Sequence, residues 1–413
     1  MKLSTALTIA LAFSATLVAQ TDPGPRDGPP LSGRPLRGLS PAEIQAFTEG
    51  RQVFTEIEDV KDGLGPRFNL DSCGGCHAFP ALGGSSPALN PQIRVALKFG
   101  ASNHIPPFIQ QDGPVRVARF KRGPNGQPDG GVHNLFVITG RNDAPAGCQI
   151  AQPDFTQPNN LSLRIPTPAF GLGLIEAISD TALRTNLAAN QAQKRQLGIQ
   201  GRFNVNGNDG TVTRYGWKAQ NKSLLLFSGE AFNVEMGVTN ELFPQEREED
   251  PECATSALTE STGDILAQSA FMRLLAPPET SPATDSSTRG SALFGQIGCA
   301  LCHTPSLQTG LARSAALSGQ TVNLYSDLAT HRMGGALDDG VTQGNAQGQD
   351  WRTAPLWGLG ERIFFLHDGR TRDLKEAIRT HDSPGSEAHQ VIETYNTLTD
   401  DQKQDLLNFL RSL

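Results

Sequence analysis

Apolar residues in this chain fall into three kinds of pattern. Helical spacing marks both ends of the mature sequence. Ser40-Pro41-Ala42-Glu43 reads as a capping box with proline at the first helical position. Ile44, Phe47, Phe54 and Ile57 then recur on one helical face. At the far end, Thr399 and Gln402 form a second capping box, and Leu406, Phe409, Leu410 and Leu413 form its apolar stripe. Short apolar runs mark the middle. Val115-Arg116-Val117-Ala118 and Leu135-Phe136-Val137-Ile138 predict short strands or a hairpin, inserted over about 91–160. The third pattern is a continuous run. Ala6 to Val18 is apolar, follows the charged Lys2, and leads to Ala19 at a cleavage position. Residues 1–19 therefore read as a secretory signal peptide. No later run is long enough and apolar enough to span a bilayer.

The helical patterns recur as an internal repeat. Gly50-Arg51-Gln52-Val53-Phe54 matches Gly290-Ser291-Ala292-Leu293-Phe294. Pro168-Ala169-Phe170-Gly171-Leu172-Gly173 matches Pro355-Leu356-Trp357-Gly358-Leu359-Gly360. Residues 216–224 align without gaps on 366–374. A Pro/Ser/Thr-rich stretch, 277–288, is the candidate linker, and the Pro/Gly-rich 20–39 reads as a flexible lead-in.

Each half also carries one Cys-x-x-Cys-His sequence. These are Cys73-Gly74-Gly75-Cys76-His77 and Cys299-Ala300-Leu301-Cys302-His303. Two thiols at this spacing can form thioethers to the vinyl groups of a haem, and the adjacent histidine can become the proximal iron ligand. A zinc ribbon would need the two pairs roughly 15–20 residues apart, and most of the chain separates these. A redox dithiol does not explain a histidine after both pairs. The fold class that follows is mainly α: two tandem cytochrome c-like haem domains, 40–276 and 289–413, with a β-containing insertion in the first. Two covalently bound haem c groups are the expected cofactors, with Cys73, Cys76, Cys299 and Cys302 as attachment points and His77 and His303 on iron.

Composition changes this picture little. The 43 glycines and 28 prolines suit short helices and long loops around a cofactor. A net charge of −7, one unit more negative once Lys2 leaves, argues against nucleic acid and leaves open a basic donor protein. Six cysteines less four for haem leave Cys148 and Cys253, which in an exported protein read as a disulfide. The Asn/Gly-rich 203–210 reads as a tight turn, with calcium as a weaker alternative.

With the repeat in view, the chain resembles the bacterial di-haem cytochrome c peroxidases, and more closely the branch called di-haem oxidoreductase, also named thiol oxidoreductase. The motifs that carry this span nearly the whole mature chain. They are the two haem sequences, Pro168 to Glu176, Gly216 to Ala219, Ala231 to Asn240, Tyr325 to Gly334, Trp351 to Gly360 and Phe365 to Arg370. The resemblance implies that the C-terminal haem collects electrons with Met333 as second ligand, His331 being the rival. It implies a peroxidatic haem on His77. Glu235, in Val234-Glu235-Met236-Gly237, would be its acid–base group, with Glu176 as runner-up. It places Trp217 between the haems. The peroxidases read Trp-Asp-Gly-Arg where this chain has Trp217-Lys218-Ala219-Gln220. His104 and His133 are the histidines available as a sixth ligand on the N-terminal side. The thiol-oxidoreductase name does not suit a chain whose paired thiols all serve haem. The implied activity is reduction of hydrogen peroxide in the periplasm, with electrons from a small cytochrome or cupredoxin. A non-catalytic electron carrier and a maturase-like oxidant of a protein partner are the alternatives.

Overall fold

The computed structural model describes residues 20–26, 32–244, 252–253 and 261–413. The expected signal peptide lies outside them. Among the described residues no helix is long and apolar enough to cross a membrane.

Both capping boxes form. Ser40 Oγ accepts from the Glu43 N–H, and Glu43 Oε2 accepts from the Ser40 N–H at 2.7 Å, opening α1 (Pro41–Thr55). Phe47 and Phe54 are buried, but Ile44 is 41% exposed and Ile57, beyond the helix end, is 61% exposed. The apolar face is thus narrower than the spacing suggested. The remaining helices that position the site are α2 (Leu172–Ala177), α3 (Leu224–Met236), α4 (Thr262–Leu274), α5 (Asp285–Gln296), α6 (Leu374–Arg379) and α7 (Asp400–Ser412). Helix α5 starts at Asp285, capped by Thr284, so the expected linker is irregular only as far as Thr284.

The repeat has a steric basis. Helices α1 and α4 cross at Gly50, where a Cβ would sit 1.9 Å from the Ala267 carbonyl oxygen. Helices α5 and α7 cross at Gly290, where a Cβ would meet the Asp405 carbonyl oxygen at 2.0 Å. Gly173 and Gly360 repeat the device against the carbonyls of Arg273 and Arg411. Phe54 packs on Phe271 with ring centroids 4.8 Å apart, and Phe294 on Phe409 at 5.4 Å. The halves are not sealed off from each other. One core joins Phe54, Phe170 and Phe271 to Leu324, Leu328 and Trp357.

The β structure is slight. Strand β1 (Arg67–Phe68) pairs antiparallel with β4 (Phe136–Val137). Strand β2 (Val117–Phe120) lies between β3 (Val132–His133) and β5 (Leu161–Arg164), with Val117 opposite Arg164. Strand β6 (Thr330–Arg332) pairs with β7 (Asp350–Arg352). Cys148 and Cys253 form a disulfide. The carboxylate in the 203–210 stretch is taken by neighbouring residues: Asp209 accepts from Thr211 and pairs with Lys222 at 2.6 Å.

The lead-in corrects another expectation. Asp22 pairs with Arg411 through two 2.7 Å hydrogen bonds and accepts from the Leu374 N–H at 2.9 Å. The Arg26 N–H donates to the Gly360 carbonyl, and the Leu36 N–H to the Leu274 carbonyl. Proline and glycine content suggested a loose strand; a buried ion pair with the last helix ties it down.

Candidate haem sites

Cys73–Cys76 is one helical turn, and the His77 N–H donates back to the Cys73 carbonyl at 3.0 Å. That turn brings both sulfurs and the imidazole to one wall of a cavity of about 120 Å³. His77 Nδ1 meets the Gly84 carbonyl at 2.9 Å, which leaves Nε2 for a metal. The second copy repeats this. Cys299–Leu301 is a tight turn, and the His303 N–H donates to the Cys299 carbonyl at 2.9 Å. His303 Nδ1 meets the Tyr325 carbonyl at 3.1 Å. The second cavity, about 230 Å³, has Cys299, Cys302 and His303 on its wall.

Burial lowers the pKa of both histidines, His303 to about 4, so each ring is held in the neutral form that binds metals. Burial moves the thiols the other way. Cys76 is pushed well up and Cys299 to about 12. A redox or metal-binding thiolate needs a lowered pKa. These environments suit sulfurs that are uncharged, as thioethers are, so the residues present fit a covalently attached haem.

Glu235, at the end of α3, lines the N-terminal cavity. Its surface is partly accessible, yet the protein around it is dense. Burial raises its carboxyl to about 7; Arg119 opposes the shift and Glu230 adds to it. Glu176 does not line this cavity. It pairs with Arg273 at 2.6 Å and accepts from the Leu224 N–H at 3.1 Å, capping α3. The structure gives Glu176 this structural role in place of the expected acid–base one. His104 and His133 do not line either cavity: the His104 backbone bonds Gln152, and His133 stacks on Phe120 and pairs with Asp129.

Met333 and His331 both line the second cavity. Both ring nitrogens of His331 are taken, Nδ1 by Glu387 at 2.8 Å and Nε2 by Asp327 at 3.0 Å. Burial opposes a charge on that ring, while the Asp327 carboxylate favours one. A protonated imidazole has no lone pair to offer. Met333 packs with Leu337 and Trp351 and makes no such commitment.

Trp217 lines both cavities. Its Nε1 donates to the Ile165 carbonyl at 2.9 Å. Its ring faces Trp351 edge-on at 6.3 Å and His367 at 6.5 Å, while His367 stacks on Trp351 at 3.9 Å. Beneath this group lies a buried charge cluster. Lys218 Nζ stands 3.9 Å over the Trp351 ring, donates to the carbonyls of Gln347 and Gly348, and meets Asp339 at 3.1 Å. Arg164 meets the same carboxylate at 2.6 Å.

Residues 132–413 match the model of a family described as "Di-haem oxidoreductase, putative peroxidase", more than half of the chain. The chain belongs to this family. The di-haem family implies haem cofactors and oxidoreductase chemistry. No curated protein matches this oxidoreductase. Among solved structures it is similar to hydrazine synthase of Kuenenia stuttgartiensis, at 14% identity over 99% of this chain and 100% of that one, TM-score 0.36. It is similar to a MauG-like protein associated with microbial copper homeostasis, at 19% identity over 59% and 89%, TM-score 0.30. The diheme peroxidase BthA of Burkholderia thailandensis E264 matches at 14% identity over 76% and 95%, TM-score 0.32.

Sequence reading of this di-haem oxidoreductase held Trp351, His367 and Lys218 within its motifs without giving them a role, and missed Asp339 and Arg164. One signal for His367 was present: the gapless alignment sets it opposite Trp217. The backbone agrees, since Gly216 and Leu366 both take positive φ, +82° and +67°.

Proposed function

We propose that this oxidoreductase carries two haem c groups on Cys73/Cys76 and Cys299/Cys302, and reduces hydrogen peroxide on the His77 side. Electrons enter on the His303 side from a small donor protein outside the cytoplasm. One observation carries the peroxide reading. Glu235 stands in the cavity of His77 with its carboxyl raised to about 7, the range a proton shuttle needs. Peroxide, two electrons and two protons give two waters, so a group must take a proton from one oxygen and deliver one to the other. The haems, when bound, supply the iron and the electrons. The Glu235 carboxylate accepts the proton and, as the acid, returns it to the departing oxygen. The Gly84 carbonyl holds the His77 ring through Nδ1, and Trp217 lies between the two cavities. The matched helix pairs α1/α4 and α5/α7 support two tandem cytochrome c-like units, the first bearing the β2–β3–β5 insertion.

The test is direct. After expression with a c-type maturation system and export, mass spectrometry should find two haems on each mature chain. The protein with its C-terminal haem reduced should consume peroxide. Two haems with no peroxide reactivity would leave the electron-carrier reading in its place.

Met333 is proposed as the second ligand on the His303 side, because His331 is occupied by two carboxylates. Met333→His should lower that haem's potential and erase a methionine-to-iron charge-transfer band. A wild type lacking this band, with a spectrum that changes in His331→Ala, would move the assignment to His331.

A further inference from the structure

Arg352 and Arg362 line the cavity of His303. Arg352 is buried, at 8% exposure. Its Nε donates to the Gly216 carbonyl at 2.9 Å, and its backbone N–H to the Trp217 carbonyl at 3.0 Å. Its Nη1 is buried with no hydrogen-bond partner. Arg362 offers its backbone carbonyl to Arg411 at 2.9 Å, and burial lowers the pKa of its guanidinium. Arg164 shows what a matched buried arginine looks like here, with Asp339 at 2.6 Å. Among the described residues neither cavity arginine has such a carboxylate. Burial lowers both to about 10, and the charge of Arg362 adds to the effect on Arg352. At that value both stay charged near neutral pH. Two like charges on the wall of one cavity, Arg352 buried and Arg362 partly exposed, with no carboxylate partner among the described residues, are an unfavourable arrangement that a bound anion would relieve.

We propose that Arg352 and Arg362 clamp the propionate carboxylates of the haem held by Cys299, Cys302 and His303. The inference rests on the covalent-haem reading above. A guanidinium presents a planar fork of donors that matches a carboxylate, and the pair supplies one cation for each propionate. Positive charge beside the macrocycle favours the form with one electron more, so the clamp raises the potential of the electron-accepting haem. Arg352 also ties the clamp to the turn that carries Trp217, through the carbonyls of Gly216 and Trp217.

Arg362→Gln is the cleaner test, because its guanidinium has no carboxylate partner among the described residues to lose. Arg352→Gln is the second. Each variant should keep two covalent haems by mass. In each, the reduction equilibrium of the His303 haem should fall roughly tenfold, about 59 mV for one electron. The propionate bending band in the resonance Raman spectrum should shift, and Arg362→Lys should recover part of both changes. Two haems with wild-type potential and band in both glutamine variants would overturn the clamp alone. A wild type without covalent haem would overturn the clamp together with the reading beneath it. A wild-type potential that varies with acetate or chloride at fixed ionic strength would show the pair filled from solution, and would also overturn the clamp.

Discussion

Glu235→Gln should lose about 10²–10⁴-fold in peroxide turnover while both haems stay attached. The amide keeps the shape of the side chain and can donate a hydrogen bond, but it cannot accept a proton and return it. Helix α3 ends one residue later, capped by Gly237 in the left-handed conformation, and neither feature depends on the carboxylate. Turnover of the wild type should rise with pH through about 7, as the carboxylate forms. Stability should run the other way. A carboxyl raised from 4.5 to about 7 holds a proton in the folded state that the unfolded state releases. The wild type therefore loses stability as pH climbs through that window. Glu235→Gln escapes the loss, so its melting temperature should exceed the wild type's at pH 8 and match it near pH 4. Unchanged turnover in Glu235→Gln would remove the acid–base role.

How far such features could be read from sequence depended on their range. The capping boxes at Ser40 and Thr399 are local, three residues from donor to acceptor, and both formed as written. The haem sequences are local too, and one turn of chain brings sulfurs and imidazole together. The repeated glycines were legible as a pattern, though the reason, a carbonyl from a crossing helix against each, was not. What failed was long-range. Asp22 finds Arg411 at a separation of 389 residues, so the lead-in looked loose. Glu176 sits in the apolar Gly173-Leu174-Ile175-Glu176 stretch and looked like a buried acid, yet its partner Arg273 is 97 residues away. The role proposed for Glu235 came through family resemblance alone. Nothing nearby in sequence says that the carboxylate of Glu235 lacks, among the described residues, the ion pair that Glu176 has.

Asp339→Asn should cost about 3–5 kcal/mol of stability, because it removes the anion between two buried cations. The side chains of Asp339, Arg164 and Lys218 are at most 3% exposed. The carboxylate receives Arg164 at 2.6 Å and Ser162 at 3.1 Å on Oδ2, and Lys218 and the Val341 N–H, each at 3.1 Å, on Oδ1. Asparagine is nearly isosteric, so the loss would be electrostatic rather than steric. Its pH dependence identifies the group responsible. Burial lowers Lys218 to about 8, against the pull of Asp339, so the folded state releases a proton below the unfolded value of 10.5. Stability therefore rises as pH climbs from about 8 to 10.5. Without Asp339 the folded value falls further, and the deficit at pH 7 should exceed that at pH 10.5, where the folded amine is neutral with or without Asp339. Adding Lys218→Met to Asp339→Asn should recover part of the loss by removing one of the stranded cations. Chemical denaturation followed by tryptophan fluorescence would report directly, since Trp217 and Trp351 lie against the cluster. A deficit below about 1 kcal/mol, the range of exposed pairs, would mean that water or backbone groups already screen these charges. The cluster would then not be what holds Trp351 and His367 beside Trp217.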